Sequence, residues 1–208
     1  MIEFSLAIAA AERDQDRAEV ANLKQLTVLA LADGAGGLSG GKKAAETSIQ
    51  FLTSSIELEK ANDCQYWTEK LRVLDKNLHY DRDCGETTVV VIAISNDAML
   101  CGASVGDSGA WLFNKDETID LTAGQRRRPL LGSGAATISP VEAEPLKGRL
   151  LMASDGLLKY SPWTRIQELV TRESMTGLSA SLIDSARMKS GTLHDDIAVI
   201  VCQPLKDR

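Results

Sequence analysis

Residues 26–41 read LTVLALADGAGGLSGG, a hydrophobic run of strand length that ends in Asp33 and then breaks into glycine at positions 34, 36, 37, 40 and 41. The apolar residues from 26 to 32 predict a buried strand. The glycines after it let the chain turn sharply and bring backbone amides and carbonyls close to a ligand. An Asp at a strand end, ahead of glycine-rich backbone and a helix, suits a hard metal ion or a phosphate. It equally suits an ordinary strand-to-helix turn with a capping Asp, and this stretch alone leaves the two open.

Working outward, buried strands are expected at 4–9, 87–94, 99–104, 110–113, 149–153 and 197–202, with turn residues such as Asn96-Asp97 and Gly106-Asp107 between them. Helical spacing appears at 42–60, through Ala45, Ile49, Leu52 and Ile56, and at 66–79, through Trp67, Leu71, Leu74 and Leu78. Two further helices are expected at 163–172 and 178–189. Strands, a helix pair, a run of strands, a helix pair and a last strand do not alternate as βαβα, so the fold class is α+β in layers. Residues 121–144, with Gly124, Gly132 and Gly134, read as a flexible loop region beside the core.

Composition narrows the function classes. A chain of 208 residues with 44% hydrophobic and 25% charged residues fits one globular domain over 1–208. A net charge of -6 and a pI near 5.0 argue against a sequence-independent grip on nucleic acid. The short basic run Arg126-Arg127-Arg128 reads as a solvated loop, and aromatic residues at 4% build no base-stacking platform. Cys64, Cys84, Cys101 and Cys202 form no C-x-x-C pair, which speaks against structural zinc and for a reduced, cytoplasmic chain. Residues 1–10 are apolar but short, lack a basic leader and contain Glu3, so they read as a strand and not as a signal or membrane span.

The Asp33 corner has echoes. LLMASDGL at 150–157 ends a second strand in Asp155, ASVGDSGAWLF at 103–113 presents Asp107, and TLHDDIAVIVC at 192–202 opens a strand with Asp195 and Asp196. Like charges gathered at strand ends repel unless a cation neutralises them, so a metal cluster explains the pattern economically. Ser154 has no G-x-S-x-G elbow around it, and orienting its loop is the expected role. His79 and His194 are read as surface or packing residues.

In order along the chain stand Asp-Gly-x-Gly-Gly (33–37), Gly-Glu-Thr-Thr (85–88), Val-Gly-Asp-Ser (105–108), Ser-Asp-Gly-Leu (154–157) and Asp-Asp (195–196). This succession resembles the metal-dependent protein phosphatases of the type 2C family over nearly the whole chain. The resemblance implies a four-layer α-β-β-α sandwich with two mostly antiparallel sheets between helix pairs, and two Mn²⁺ or Mg²⁺ ions at the sheet edges. By the resemblance Asp33 would bridge both ions, the Gly34 carbonyl would bind one, and Asp155 and Asp195 would hold the other. Asp16 matches the family's early acidic position and would support the second ion. A water bridging the ions would attack the phosphoserine or phosphothreonine ester of a partner protein directly. The implied setting is a cytoplasmic monomer paired with a serine/threonine kinase, binding neither nucleic acid nor membrane.

Four positions depart from the family pattern. Ala11 stands where an Arg commonly binds the substrate phosphate; Arg13 is the proposed substitute, a solvated surface Arg being the equal alternative. Ala35 occupies the place of a His that many eukaryotic members carry, leaving protonation of the leaving group to water. Gly109 replaces a frequent Arg, and Lys159 lies where an extra Asp often follows, which makes a third metal ion at Asp107 doubtful. Two other readings stand beside the phosphatase: a pseudophosphatase that binds proteins, and a hydrolase of small phosphorylated metabolites.

Overall fold

The computed structural model describes residues 2–35, 40–54 and 56–205. Two antiparallel sheets dominate it. The first sheet runs β1-β11-β10-β7-β8, built from β1 (Ile2–Ala9), β11 (Ile197–Pro204), β10 (Arg149–Ala153), β7 (Gly109–Phe113) and β8 (Thr118–Asp120). The second runs β2-β3-β5-β6-β9, from β2 (Asp16–Asn22), β3 (Leu26–Ala35), β5 (Val89–Ser95), β6 (Met99–Val105) and β9 (Ser139–Pro145), with the short β4 (Glu86–Thr87) paired to β3.

Side-chain alternation explains the layering. Along β3, Val28, Ala30 and Ala32 join a core cluster with Ala44, Ile49 and Leu52 of α1 (Gly40–Ser54) and Trp67, Leu71 and Leu74 of α2 (Cys64–Tyr80). The intervening Leu29 and Leu31 join Val90, Ile92, Leu112, Leu150, Met152 and Ile200 in a second cluster between the sheets. On the far side, Leu151, Val199 and Val201 pack with Ile166 and Leu169 of α4 (Trp163–Arg172) and Leu178 and Leu182 of α5 (Leu178–Ser185). Strands apolar on both faces are those covered on both faces, and the result is an α-β-β-α sandwich. Each fully buried Leu or Ile in these layers contributes roughly 1.5–3 kcal/mol.

Local signals set the element ends. Asp63 caps α2 by accepting a hydrogen bond from the Gln65 amide at 2.9 Å, a contact that stabilises a helix by about 1 kcal/mol. The helix expected at 42–60 stops at Ser54, and the one expected at 178–189 stops at Ser185. A short helix, α3 (Asp155–Tyr160), was not anticipated.

Three strands escape the sequence pattern. β2, DRAEVAN, alternates small and polar residues instead of presenting an apolar run. β8 is three residues long, and β9 lies within the segment expected to be a flexible loop. That segment is corrected by the structure: Leu130 and Leu131 are buried, and the buried carboxylate of Asp75 on α2 accepts hydrogen bonds from the amides of Gly132 (2.8 Å), Gly134 (3.1 Å) and Ala136 (3.1 Å). Among the described residues no helix is long and apolar enough to cross a membrane.

Candidate metal centre

The odd-numbered side of β3 that carries Leu29 and Leu31 into the space between the sheets continues to Asp33 at the strand end. Asp16, the first residue of β2, stands directly opposite it in the ladder. From the other sheet, Asp155 follows β10 at the first position of α3, and Asp195 immediately precedes the Asp196 that leads into β11. The site is therefore assembled at one mouth of the sandwich, with acidic groups from both sheets. A pocket of about 250 Å³ there is lined by Arg13, Asp33, Gly34, Asp107, Asp155 and Asp195, with Thr88, Arg127 and Arg128 also on its wall. A larger hollow of about 610 Å³ lies against α1 and α2 among Phe51, Tyr66, Glu69 and Lys70. It gathers none of the strand-end carboxylates, which lie instead around the smaller pocket.

The motif hydroxyls fasten Asp33. The Thr88 hydroxyl accepts a hydrogen bond from the Asp33 amide at 3.1 Å and bonds the Ser108 hydroxyl at 2.7 Å, while the Thr87 hydroxyl donates to the Asp33 carbonyl at 2.9 Å. The Thr88 amide donates to the same carbonyl at 2.9 Å. The Gly-Glu-Thr-Thr and Val-Gly-Asp-Ser motifs are thus a brace for the Asp33 backbone. Glycine is required behind it: a Cβ on Gly34 would lie 2.3 Å from the Gly41 carbonyl oxygen. Gly36 and Gly37 lie outside the described residues.

On the opposite sheet, Ser154 ties β10 to β11, its hydroxyl accepting from the Ala198 amide at 2.9 Å and its amide donating to the Ala198 carbonyl at 3.0 Å. The neighbouring pair Asp195-Asp196 divides its labour. The Asp196 carboxylate turns inward and accepts hydrogen bonds from the Ala11 and Gln15 amides, both at 2.7 Å, so it anchors the β1–β2 connection. Both aspartates line the pocket, and both also line a neighbouring hollow of about 200 Å³ with Arg13 and His194, whose ring stacks on Tyr160 at 4.6 Å.

Electrostatics mark the centre as short of positive charge. Burial pushes the Asp33 carboxyl up to about 9, with the charges of Asp16, Asp155 and Asp195 adding to the shift. Burial likewise pushes Asp16 up to about 7, against the favourable influence of Ser154 and with Asp196 and Asp155 adding repulsion. Asp155 is raised as well, by burial, although Lys159 opposes the shift. Both carboxylate oxygens of Asp16 are buried without a hydrogen-bond partner in good geometry. A buried carboxylate left in this way costs several kcal/mol unless a cation or a proton compensates it. The all-oxygen donor set, with the Gly34 backbone on the pocket wall, fits hard divalent ions such as Mg²⁺ or Mn²⁺. Among the described residues no three acidic, histidine or cysteine side chains converge tightly enough as they stand to enclose an ion.

Basic residues ring the pocket where the sequence showed only a solvated loop. Arg127 Nε lies 2.6 Å from Asp107 Oδ2, and its guanidinium reaches Asp155 at 3.9 Å. Arg128 pairs with Glu86 at 3.3 Å, Arg13 is exposed on the rim, and Lys159 pairs with Asp155. Burial works most strongly against the charge on Lys159, but its hydrogen bond to Asp155 and the charges of Asp155 and Asp107 together hold its basicity above the usual lysine value. Only folding brings residues 127 and 128 to Asp107, Asp155 and Glu86, and no local sequence signal announced it.

The architecture and the motifs have known counterparts. The solved serine/threonine phosphatase of S. agalactiae superposes with a TM-score of 0.81 at 21% identity, over 98% of this chain and 99% of that one. The serine/threonine phosphatase Stp1 from Staphylococcus aureus does so at 0.80 and 18% identity, over 98% and 95%. RsbX, solved in complex with magnesium, gives 0.71 at 15% identity, over 97% and 94%. In sequence, Protein phosphatase PhpP of Streptococcus pneumoniae serotype 2 is 26% identical over 212 residues, covering 84% of this chain and 85% of that protein. The family model described as Protein phosphatase 2C matches residues 6–127, more than half of the chain, and takes in the Asp16–Asp33 pair, the threonine brace and Asp107. The chain therefore belongs to the protein phosphatase 2C family, whose members are metal-dependent protein phosphatases.

Proposed function

We propose that the chain is a single-domain, metal-dependent phosphatase acting on phosphoserine and phosphothreonine in a partner protein, with two Mn²⁺ or Mg²⁺ ions. The observation that carries this reading is the Asp16–Asp33 pair, a buried and a partly buried carboxyl facing each other across a ladder with no Lys or Arg paired to either among the described residues. Asp33 and the Gly34 carbonyl would hold one ion, Asp33, Asp155 and Asp195 the other, with Asp16 in support. When bound, such ions supply an activated water at neutral pH and screen the phosphoryl oxygens.

The chain's own residues do the rest. Thr87 and Thr88 fix the Asp33 backbone, so the bridging carboxylate needs little rearrangement. Arg13, beside Ala11, draws the phosphoryl anion to the pocket, aided by the basic rim. Ser154 is engaged with Ala198 and forms no covalent phosphoenzyme. With Ala35 beside Gly34, the departing serine or threonine oxygen takes its proton from solvent. An open pocket with arginines on its rim suits a peptide better than a small metabolite, and the relatives bear protein phosphatase names. We place the protein in the cytoplasm as a monomer opposing a serine/threonine kinase; the four thiols are unpaired, as a reducing compartment requires.

Manganese-dependent hydrolysis of para-nitrophenyl phosphate, and of a phosphothreonine peptide in preference to sugar and nucleotide phosphates, tests the reading. Asp33→Asn and Asp155→Asn should each lower turnover by more than about 100-fold, the upper range for disturbing a metal ligand's surroundings. Activity indifferent to both changes sinks it. Absence of activity in the wild type, with Mn²⁺ still bound, favours instead the pseudophosphatase reading, which the pairing of Lys159 with Asp155 and the missing Arg at position 11 support.

A further inference from the structure

Positive charge is distributed unevenly over the acidic centre. Asp107 and Asp155 are engaged by Arg127, which reaches both, and by Lys159, which holds Asp155. Among the described residues, neither Lys nor Arg pairs with Asp16, Asp33 or Asp195. Two acids of the pocket therefore meet two basic groups, whereas among the described residues Asp33 and Asp195 on its wall, and the buried Asp16 opposite Asp33, meet none.

The Lys159–Asp155 contact is more than a helix-surface pair. It has the i,i+4 spacing of one, but the Asp155 side chain is only 15% exposed and lines the pocket. Exposed pairs of this spacing are worth a few tenths of a kcal/mol and do not order their surroundings. Here a second cation, from a segment 28 to 32 residues upstream in sequence and fixed through Asp75, Leu130 and Leu131, arrives at the same carboxylate. Gln125 of that segment donates to the Ser108 carbonyl at 2.6 Å, which holds the basic run against the Asp107 turn.

We propose that Lys159 and Arg127 are built-in cations that take the place of a metal ion between Asp107 and Asp155, so that the centre accepts two divalent ions and refuses a third. This rests on the two-ion reading above. The tethered ammonium neutralises Asp155 without a desolvated divalent ion, and the guanidinium neutralises Asp107 while leaving N–H groups for an incoming phosphoryl oxygen. Both contacts with Asp155 fall on its Oδ2, which leaves its Oδ1 for the ions held by Asp33, the Gly34 carbonyl and Asp195 in the two-ion reading.

Titration of the chelator-stripped full chain with Mn²⁺, read by calorimetry and by the free-Mn²⁺ resonance signal, decides the matter. Two ions per chain are expected for the wild type, three for the Lys159→Gln/Arg127→Gln double variant, and two again for Lys159→Arg, which keeps the charge. A wild type that takes up three ions overturns the inference and leaves the phosphatase reading standing. So does a double variant that still takes up two with unchanged affinity while its circular dichroism matches the wild type. No Mn²⁺ uptake by any form overturns the two-ion reading itself, and the inference with it.

Discussion

Asp16 and Asp33 face each other as register partners across the β2–β3 ladder, at the mouth between the two sheets. Like charges placed directly opposite in a ladder are destabilising, so this pairing costs the metal-free protein stability, as the proposed ion-binding edge would require.

The first prediction follows from that pairing. Both carboxyls have folded-state values raised above the ordinary 3.8, to about 7 for Asp16 and about 9 for Asp33, chiefly by burial. The folded chain holds protons that the unfolded chain releases, so stability is fullest below about 4 for these groups and is lost as pH rises toward 9. Each can contribute a slope of up to about 1.4 kcal/mol per pH unit. Chelated protein should melt progressively lower between pH 6 and 9, and Mn²⁺ should restore more at pH 8.5 than at pH 6. Equal melting temperatures across that range, with and without Mn²⁺, would count against a buried acidic centre.

Neighbouring aspartates should separate cleanly in their effects. Asp196→Ala leaves the Ala11 and Gln15 amides without their 2.7 Å acceptors. A loss of about 2–4 kcal/mol is expected, which for a chain of this length lowers the melting temperature by roughly 5–15 °C. Asp195→Ala should shift stability by less than about 1 kcal/mol and remove metal-dependent turnover. Thermal melts alongside Mn²⁺-dependent assays check the contrast.

Asp75 governs a segment distant in sequence. Asp75→Asn replaces an acceptor of three backbone amides by a group with one oxygen and an unwanted donor. About 2–3 kcal/mol of stability should go. Trypsin should cut faster at Arg126 and Arg127, and phosphatase activity should fall although Asp75 lies outside the pocket lining. Unchanged cleavage kinetics would show that the 121–144 segment is held by other contacts.

Gly156 tests how closely α3 approaches β11. A Cβ there would lie 2.1 Å from the Asp196 carbonyl oxygen. Gly156→Ala should destabilise by about 1–3 kcal/mol, as overpacking does. By pushing Asp155 away from the Asp195–Asp196 corner it should also weaken Mn²⁺ binding more than its stability loss alone implies. Calorimetric titration at a temperature where the variant remains folded reads that difference.

Much of the sandwich was legible because β3, β5, β10 and β11 are covered on both faces and so are continuously apolar, and because α1 and α2 carry their apolar residues at helical spacing. The acids at strand ends could be read for the same reason: Asp33 and Asp155 interrupt runs that are otherwise hydrophobic. β2 could not, since its small residues are only partly buried, Ala18 and Val20 toward the sheet interface and Ala21 toward the helices, and its Asp16 resembles a turn residue. The roles of Asp196, Asp75 and Arg127 were hidden for a different reason. Each acts on a group 20 or more positions away, through hydrogen bonds or ion pairs that leave no period in the sequence.

The acids divide between the sheets: Asp16 and Asp33 ride on one, Asp155 and Asp195 on the other. Their separation is consequently governed by the greasy seam of Leu29, Ile92, Leu150 and Ile200 sandwiched behind them. A methyl group shaved from that seam would act like a turn of a micrometer screw, resetting the aperture of this acidic mouth without touching a polar atom.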